Sequence, residues 1–168
     1  MDLNKLADLV EQMSIEHSYP GYDVRSTHLG MPDSVTKSPA RLFGQALEHE
    51  NVMVKLVALR WFYERSGDAK RYQKILLELL KSPDEWVRLE TAKTISRIEK
   101  ADESLALAVS ELLADPNMEV RKSAAKALGK LGHKSETIIA NLQKASSDND
   151  RQVRWKAEKA LRLLGAYQ

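Results

Sequence analysis

The chain has 168 residues, a formal net charge of +2, 43% hydrophobic and 30% charged residues, seven glycines, five prolines and no cysteine. That length suits one domain with a continuous core, and the balance suits packed helices rather than a disordered or collagen-like chain. Without cysteine, disulfides, thiolate metal sites and thiol nucleophiles are excluded, so stability must come from packing.

At the N-terminus Leu3, Leu6, Val10 and Met13 recur at helical spacing, which predicts a helix whose apolar side caps the exposed end of a helical array. Asp2, Asp8 and Glu11 in the same stretch are unlike the basic start and unbroken apolar run of a secretory signal. No apolar run approaches the roughly 18 residues of a membrane span, so a soluble, cytoplasmic protein is expected. Between Ser14 and Lys37, Pro20, Gly21, Gly30 and Pro32 break any long helix. Tyr22-Asp23-Val24-Arg25 reads there as a worn copy of a pattern found downstream, so residues 1–37 are expected to form a capping helix and an irregular or degenerate unit. His17, Asp23 and His28 offer two imidazoles and a carboxylate at a spacing that fits no metal motif. No metal and no cofactor is expected.

From residue 38 the chain repeats. Val54-Lys55, Val87-Arg88, Val120-Arg121 and Val153-Arg154 stand 33 residues apart without a gap. Three residues before each valine stands a good helix N-cap: Asn51, Asp84, Asn117 and Asp150. Small or apolar residues come after the valine at helical spacing, as in Ala124, Ala127, Leu128 and Leu131, and Gly67, Gly132 and Gly165 fall where a left-handed residue ends a helix. Upstream of each cap a second apolar row holds Phe43, Leu76, Val109 and Leu142, with Ala46, Leu79, Leu112 and Ala145 three residues later. Each unit therefore contains two helices. Ser38-Pro39 predicts a helix start, whereas Ser82-Pro83 and Asp115-Pro116 predict tight turns between paired helices. The expectation is one all-α domain of four helix pairs, 38–67, 68–100, 101–133 and 134–168, behind an N-terminal capping helix.

The stretches Asp115-Pro116-Asn117-Met118-Glu119-Val120-Arg121 through Leu131-Gly132, and Asp148-Asn149-Asp150-Arg151-Gln152-Val153-Arg154, resemble HEAT repeats of the short type found in phycobilisome lyases and many bacterial proteins. The Thr-Pro-Leu-His signature of ankyrin arrays, which share the period, is absent. The resemblance covers residues 38–165, is strongest in the last two units and weakest in the first, where His49 and Lys55 replace the usual aspartate and arginine. It implies a right-handed α-α superhelix. It also implies a stacked polar ladder with Asp115 and Asp148 as acceptors and Arg88, Arg121 and Arg154 as donors, interrupted at Ser82. The fold carries little functional information, because such repeats serve many tasks.

Catalytic signatures are missing: there is no phosphate-binding glycine loop, no His-Glu-x-x-His and no nucleophile elbow. Neighbouring carboxylates such as Asp84 with Glu85 and Glu48 with Glu50 fall in turns, where capping and solvation account for them. The second helices are more informative. Segments 52–66, 85–100, 118–133 and 151–165 carry 16 Lys or Arg against 6 Asp or Glu, so the rest of the chain must be net acidic. Six positions past each valine stand Arg60, Lys93, Lys126 and Lys159; two past stand Leu56, Leu89, Lys122 and Trp155; nine past stand Tyr63, Ser96, Gly129 and Arg162. Helical periodicity places all three rows opposite the buried face, so cations and apolar anchors are expected to share an exposed surface. A groove of one sign attracts an oppositely charged partner. The reading is a non-catalytic scaffold that holds an acidic protein partner. The alternatives are nucleic-acid binding, with cations on phosphates and aromatics on bases, and, from the lyase resemblance, handling of an open-chain tetrapyrrole.

Overall fold

The computed structural model describes residues 1–16 and 39–166, and every regular element among them is helical. Helix α1 spans Leu3–Glu16, α2 Ala40–Leu47 and α3 Val52–Glu64. A short helical turn, Ser66–Ala69, and a 3-10 turn, Lys70–Tyr72, lead into α4 at Gln73–Leu79. The remaining helices are α5 Glu85–Ile95, α6 Glu103–Glu111, α7 Met118–Leu131, α8 Glu136–Ala145 and α9 Arg151–Leu163. The degenerate unit expected around Tyr22-Asp23-Val24-Arg25, and His17, Asp23 and His28, lie outside the described residues.

The second helix of every unit starts at its in-phase cap. Asn51 accepts from the amide of Met53 at 2.8 Å, Asp84 from Val87 at 2.9 Å, Asn117 from Glu119 at 2.8 Å and Asp150 from Gln152 at 2.8 Å. Each satisfies an amide that the helix itself leaves unpaired, which stabilises by about 1 kcal/mol. Gly132 and Gly165 have φ of +76° and +67°, as a left-handed terminus requires. Gly67 departs from that expectation: α3 ends at Glu64 with Arg65 as its C-cap, and Gly67 sits inside the short helical turn. At the first unit Pro39 stands at the N-cap of α2 rather than inside it, and Ser38 is outside the described residues.

Pairing of α2 with α3, α4 with α5, α6 with α7 and α8 with α9 gives two layers, with α3, α5, α7 and α9 side by side in one. One apolar cluster runs from Leu6 to Leu164. Phe43, Leu76, Val109 and Leu142 are fully buried in it, as are Val54 and Val87, and Val153 is fully buried as well. Leu6 and Val10 of α1 pack against the first unit, so the N-terminal end of the array is covered.

The core changes character along the array. Around the first unit it is aromatic: Phe43 stacks on Trp61 at 4.4 Å, Trp61 meets Phe62 edge-on at 5.1 Å, and Phe62 meets Tyr72 at 5.0 Å. Gly44 makes room for this cluster, since a Cβ there would lie 2.1 Å from the Tyr72 ring. In the last two units small side chains let α7 and α9 approach: a Cβ on Gly129 would come within 3.1 Å of the Ala160 Cα.

Polar ties cross between successive units from the second onward. Arg88 donates through Nε and Nη2 to both carboxylate oxygens of Asp115, at 2.6 and 3.0 Å, while its Nη1 holds the Ser82 and Pro83 carbonyls. Arg121 does the same with Asp148, at 2.8 and 3.1 Å, and with the Asp115 and Pro116 carbonyls. Each aspartate also accepts the amide two residues on, of Asn117 or Asp150. The hydrogen bond from Arg121, outweighing burial, holds the Asp148 carboxyl below its ordinary value, and the same pairs raise both guanidinium pKa values. Arg154 holds the Asp148 and Asn149 carbonyls through Nη1. Ser82 occupies the aspartate position of the second unit and accepts from the Asp84 amide at 3.3 Å, so the described ion pairs of the ladder begin at Arg88.

Candidate binding groove

Helices α3, α5, α7 and α9 present their solvent face as one concavity of about 370 Å³. Arg60, Lys93, Lys122, Lys126, Lys130 and Lys156 converge on it from all four helices, and among the described residues Glu119 is the one acidic group that lines it. A second hollow, of about 260 Å³, shares Lys126, Lys130 and Lys156 and adds Lys159. Ala125, Gly129, Ala160 and Leu163 line it with apolar surface, with the lysines around them. Gly129 therefore has two consequences: it lets α7 and α9 close together, and it leaves the floor of the smaller hollow lower than a side chain there would.

The cations differ in how far their charge is already answered. Arg60 bridges to Glu64 at 3.0 Å and lies over Tyr63, whose ring also faces Arg97. Lys93 is held by Glu90 at 2.5 Å, and Lys122 by Glu119 at 2.5 Å with a further bond to Gln152 at 3.2 Å. Lys126, Lys130, Lys156 and Lys159, by contrast, meet no carboxylate among the described residues. Burial first, and then Lys126 and Arg97, lower the pKa of Lys130; burial first, and then Lys126, Lys159 and Lys122, lower that of Lys156. Ammonium groups that make one another easier to deprotonate form a region of uncompensated positive potential.

Of the sixth-position row, Arg60, Lys93 and Lys126 line the larger hollow, and Lys159 the smaller. The second-position row needs correction. Leu56, 2% exposed, belongs to the core rather than to a contact surface, whereas Leu89, 5% exposed, lines the larger hollow. Lys122 of the same row reaches Gln152 on the next second helix. The row thus faces the neighbouring unit, and Trp155, 50% exposed, is its last member. Tyr63 and Ser96 of the ninth-position row line the groove, whereas Arg162 pairs with Glu158 at 3.2 Å. Lys130 and Lys156 were missed, although they lie one helical turn after Lys126 and one turn before Lys159, a neighbourhood the three chosen rows did not include.

Among the described residues no cluster of His, Asp and Glu is arranged to hold a metal, and no helix is long and apolar enough to cross a membrane. The chain is similar in fold to two engineered proteins of known crystal structure. One aligns with a TM-score of 0.61 and 19% identity over 95% of this chain and 79% of its own. The other aligns with a TM-score of 0.61 and 21% identity over 82% of this chain, which spans only 41% of that longer protein. No curated protein matches the sequence. The HEAT repeats family matches residues 76–162, beginning inside the second unit, which holds the first of the arginine pairs, Arg88 with Asp115. With just over half its length matched in this way and its helix pairs stacked in constant phase, the chain belongs to the HEAT repeat family, whose members generally act as protein-interaction scaffolds.

Proposed function

We propose that the protein is a non-catalytic scaffold that holds an acidic segment of a partner protein along the face formed by α3, α5, α7 and α9. The observation that carries this reading is the group of Lys126, Lys130, Lys156 and Lys159 around an apolar floor, with no carboxylate beside them among the described residues. An anion there relieves mutual repulsion that Lys130 and Lys156 already register. The apolar floor suits an aliphatic side chain between acidic neighbours, as on one side of a peptide helix. A nucleic acid would need free stacking surfaces between the cations, whereas the Tyr63 ring is already flanked by Arg60 and Arg97 and the Trp155 ring by Lys156 and Lys159.

The test is fluorescence anisotropy with a labelled helical peptide alternating glutamate and leucine turns. Binding should weaken at least tenfold in the double variant Lys126→Glu/Lys156→Glu, since two charge reversals together act by more than about 1.4 kcal/mol. It should also weaken with added salt. Equal binding by wild type and variant contradicts the proposal. Tighter binding of a single-stranded oligonucleotide than of the peptide replaces it with the nucleic-acid reading.

A further inference from the structure

The groove lysines divide into those already engaged and those that are not, and the second group has a chemistry of its own. Lys93 and Lys122 have the carboxylates of Glu90 and Glu119 bonded to Nζ, so an incoming electrophile must first displace them. No carboxylate meets Lys126, Lys130, Lys156 or Lys159 among the described residues. All four border the smaller hollow, whose floor is Ala125, Gly129, Ala160 and Leu163, and Lys126, Lys130 and Lys156 border the larger one as well. A space of about 260 Å³ with an apolar floor and a rim of ammonium groups fits a small amphiphile, its hydrocarbon end inward and a compact anion at the rim.

Two of the four amines are also made more nucleophilic by where they stand. Burial, followed by the charges of Lys126 and Arg97, lowers the pKa of Lys130, and burial, followed by Lys126, Lys159 and Lys122, lowers that of Lys156. Each therefore offers more of the neutral amine, the form that attacks a carbonyl carbon. The two are not equal, because the Lys156 Nζ lies 4.3 Å from the centroid of the Trp155 ring, whose face favours the ammonium form.

We propose that the smaller hollow is an acylation site: an acyl phosphate rests its alkyl end on the apolar floor and its phosphoryl group on Lys126 and Lys159, and acylates Lys130 first and Lys156 second. The amine lone pair forms the C–N bond to the acyl carbon. The C–O bond to the phosphoryl group breaks, inorganic phosphate leaves with that electron pair, and the proton of the attacking amine passes to water. Ammonium groups at the rim stabilise the charge that gathers on the leaving oxygen. The product amide carries no charge, so each acylation removes one cation from the rim and weakens binding of the next donor. Capture of an acidic segment falls with it; that consequence rests on the function proposed above, whereas the acylation does not.

The full chain is incubated with acetyl phosphate and, in parallel, with the uncharged N-hydroxysuccinimide ester of acetic acid, and acetylation is followed residue by residue by mass spectrometry. With acetyl phosphate, Lys130 and then Lys156 should react about tenfold faster than Lys93, Lys122 and the exposed Lys144 of α8, and inorganic phosphate should slow those two selectively. Replacing the exposed rim residues, Lys126→Gln/Lys159→Gln, should slow Lys130 and Lys156 more with acetyl phosphate than with the uncharged ester, because it removes the phosphoryl site as well as charge beside the amines. A Lys144 rate equal to that of Lys130 overturns the proposal. Equal slowing with both donors also overturns it, since the hollow then holds reactive amines without a place for the donor. Neither measurement includes a peptide, so the acylation can fail while the acidic peptide still binds, and the reverse.

Discussion

The first unit and the last two reach the same architecture by different chemistry. Around the first, aromatic rings fill the space between helices: Phe43, Trp61, Phe62 and Tyr72 interlock, and Gly44 yields room to them. In the last two, alanines and Gly129 bring helices together, and bidentate arginines tie neighbouring units. Large rings fix a fit through shape, whereas small residues fix little and need directional bonds to set the register between units. The difference also accounts for where the family resemblance lies, since the ladder and the small-residue rows that carry it begin only with the second unit.

Exchanging the means of support should therefore hurt each half in its own way. The largest effect is expected from Phe62→Ala, which leaves a cavity between the Trp61 and Tyr72 rings and should cost about 3–5 kcal/mol in urea unfolding. Native-state hydrogen exchange should show amides of α2 and α3 opening first, with α7 and α9 still protected; uniform loss of protection would mean that the two halves do not differ. Next comes Arg121→Ala. It leaves the Asp148 carboxylate, 11% exposed, without its partner, and should cost about 2–3 kcal/mol, with weakened protection concentrated at the boundary of the last two units. A cost equal to that of removing an exposed arginine such as Arg151 would refute the role given to this pair.

Gly129→Ala should cost about 1 kcal/mol, because Ala160 and Leu163 must yield a few tenths of an ångström. The same change should weaken binding of the acidic peptide by raising the floor of the smaller hollow. The smallest effect is one of pH. Because Asp148 has its pKa lowered in the fold, its contribution is fully present above the ordinary value of 3.8 and is lost as pH falls through the lower folded value. Asp148→Asn should flatten the acid limb of a stability-against-pH curve, and an unchanged limb would show that its pairing with Arg121 does not contribute.

The architecture was legible because its determinants are local and periodic. Caps at Asn51, Asp84, Asn117 and Asp150 and buried rows such as Phe43, Leu76, Val109 and Leu142 write the helix pairs directly into residue types. The binding face was only partly legible. A single helix turns its second-position row to solvent, and only stacking decides that Leu56 and Leu89 are buried. Conversely, Lys130 and Lys156 belong to the groove because α7 and α9 approach closely enough to merge their faces, a consequence of Gly129 and Ala160 that one helix considered alone does not reveal. Gly67 shows the same limit, since a glycine at the right spacing was absorbed into a helical turn.

The central claim is that the cations on four successive second helices form one receptor for an acidic segment. Mapping backbone and lysine side-chain NMR shifts during titration with the glutamate-leucine peptide tests it most directly. Perturbations confined to Arg60, Lys93, Lys126, Lys130, Lys156 and Lys159 and their neighbours are the predicted result. Shifts centred instead on the opposite layer, α4, α6 and α8, would contradict it.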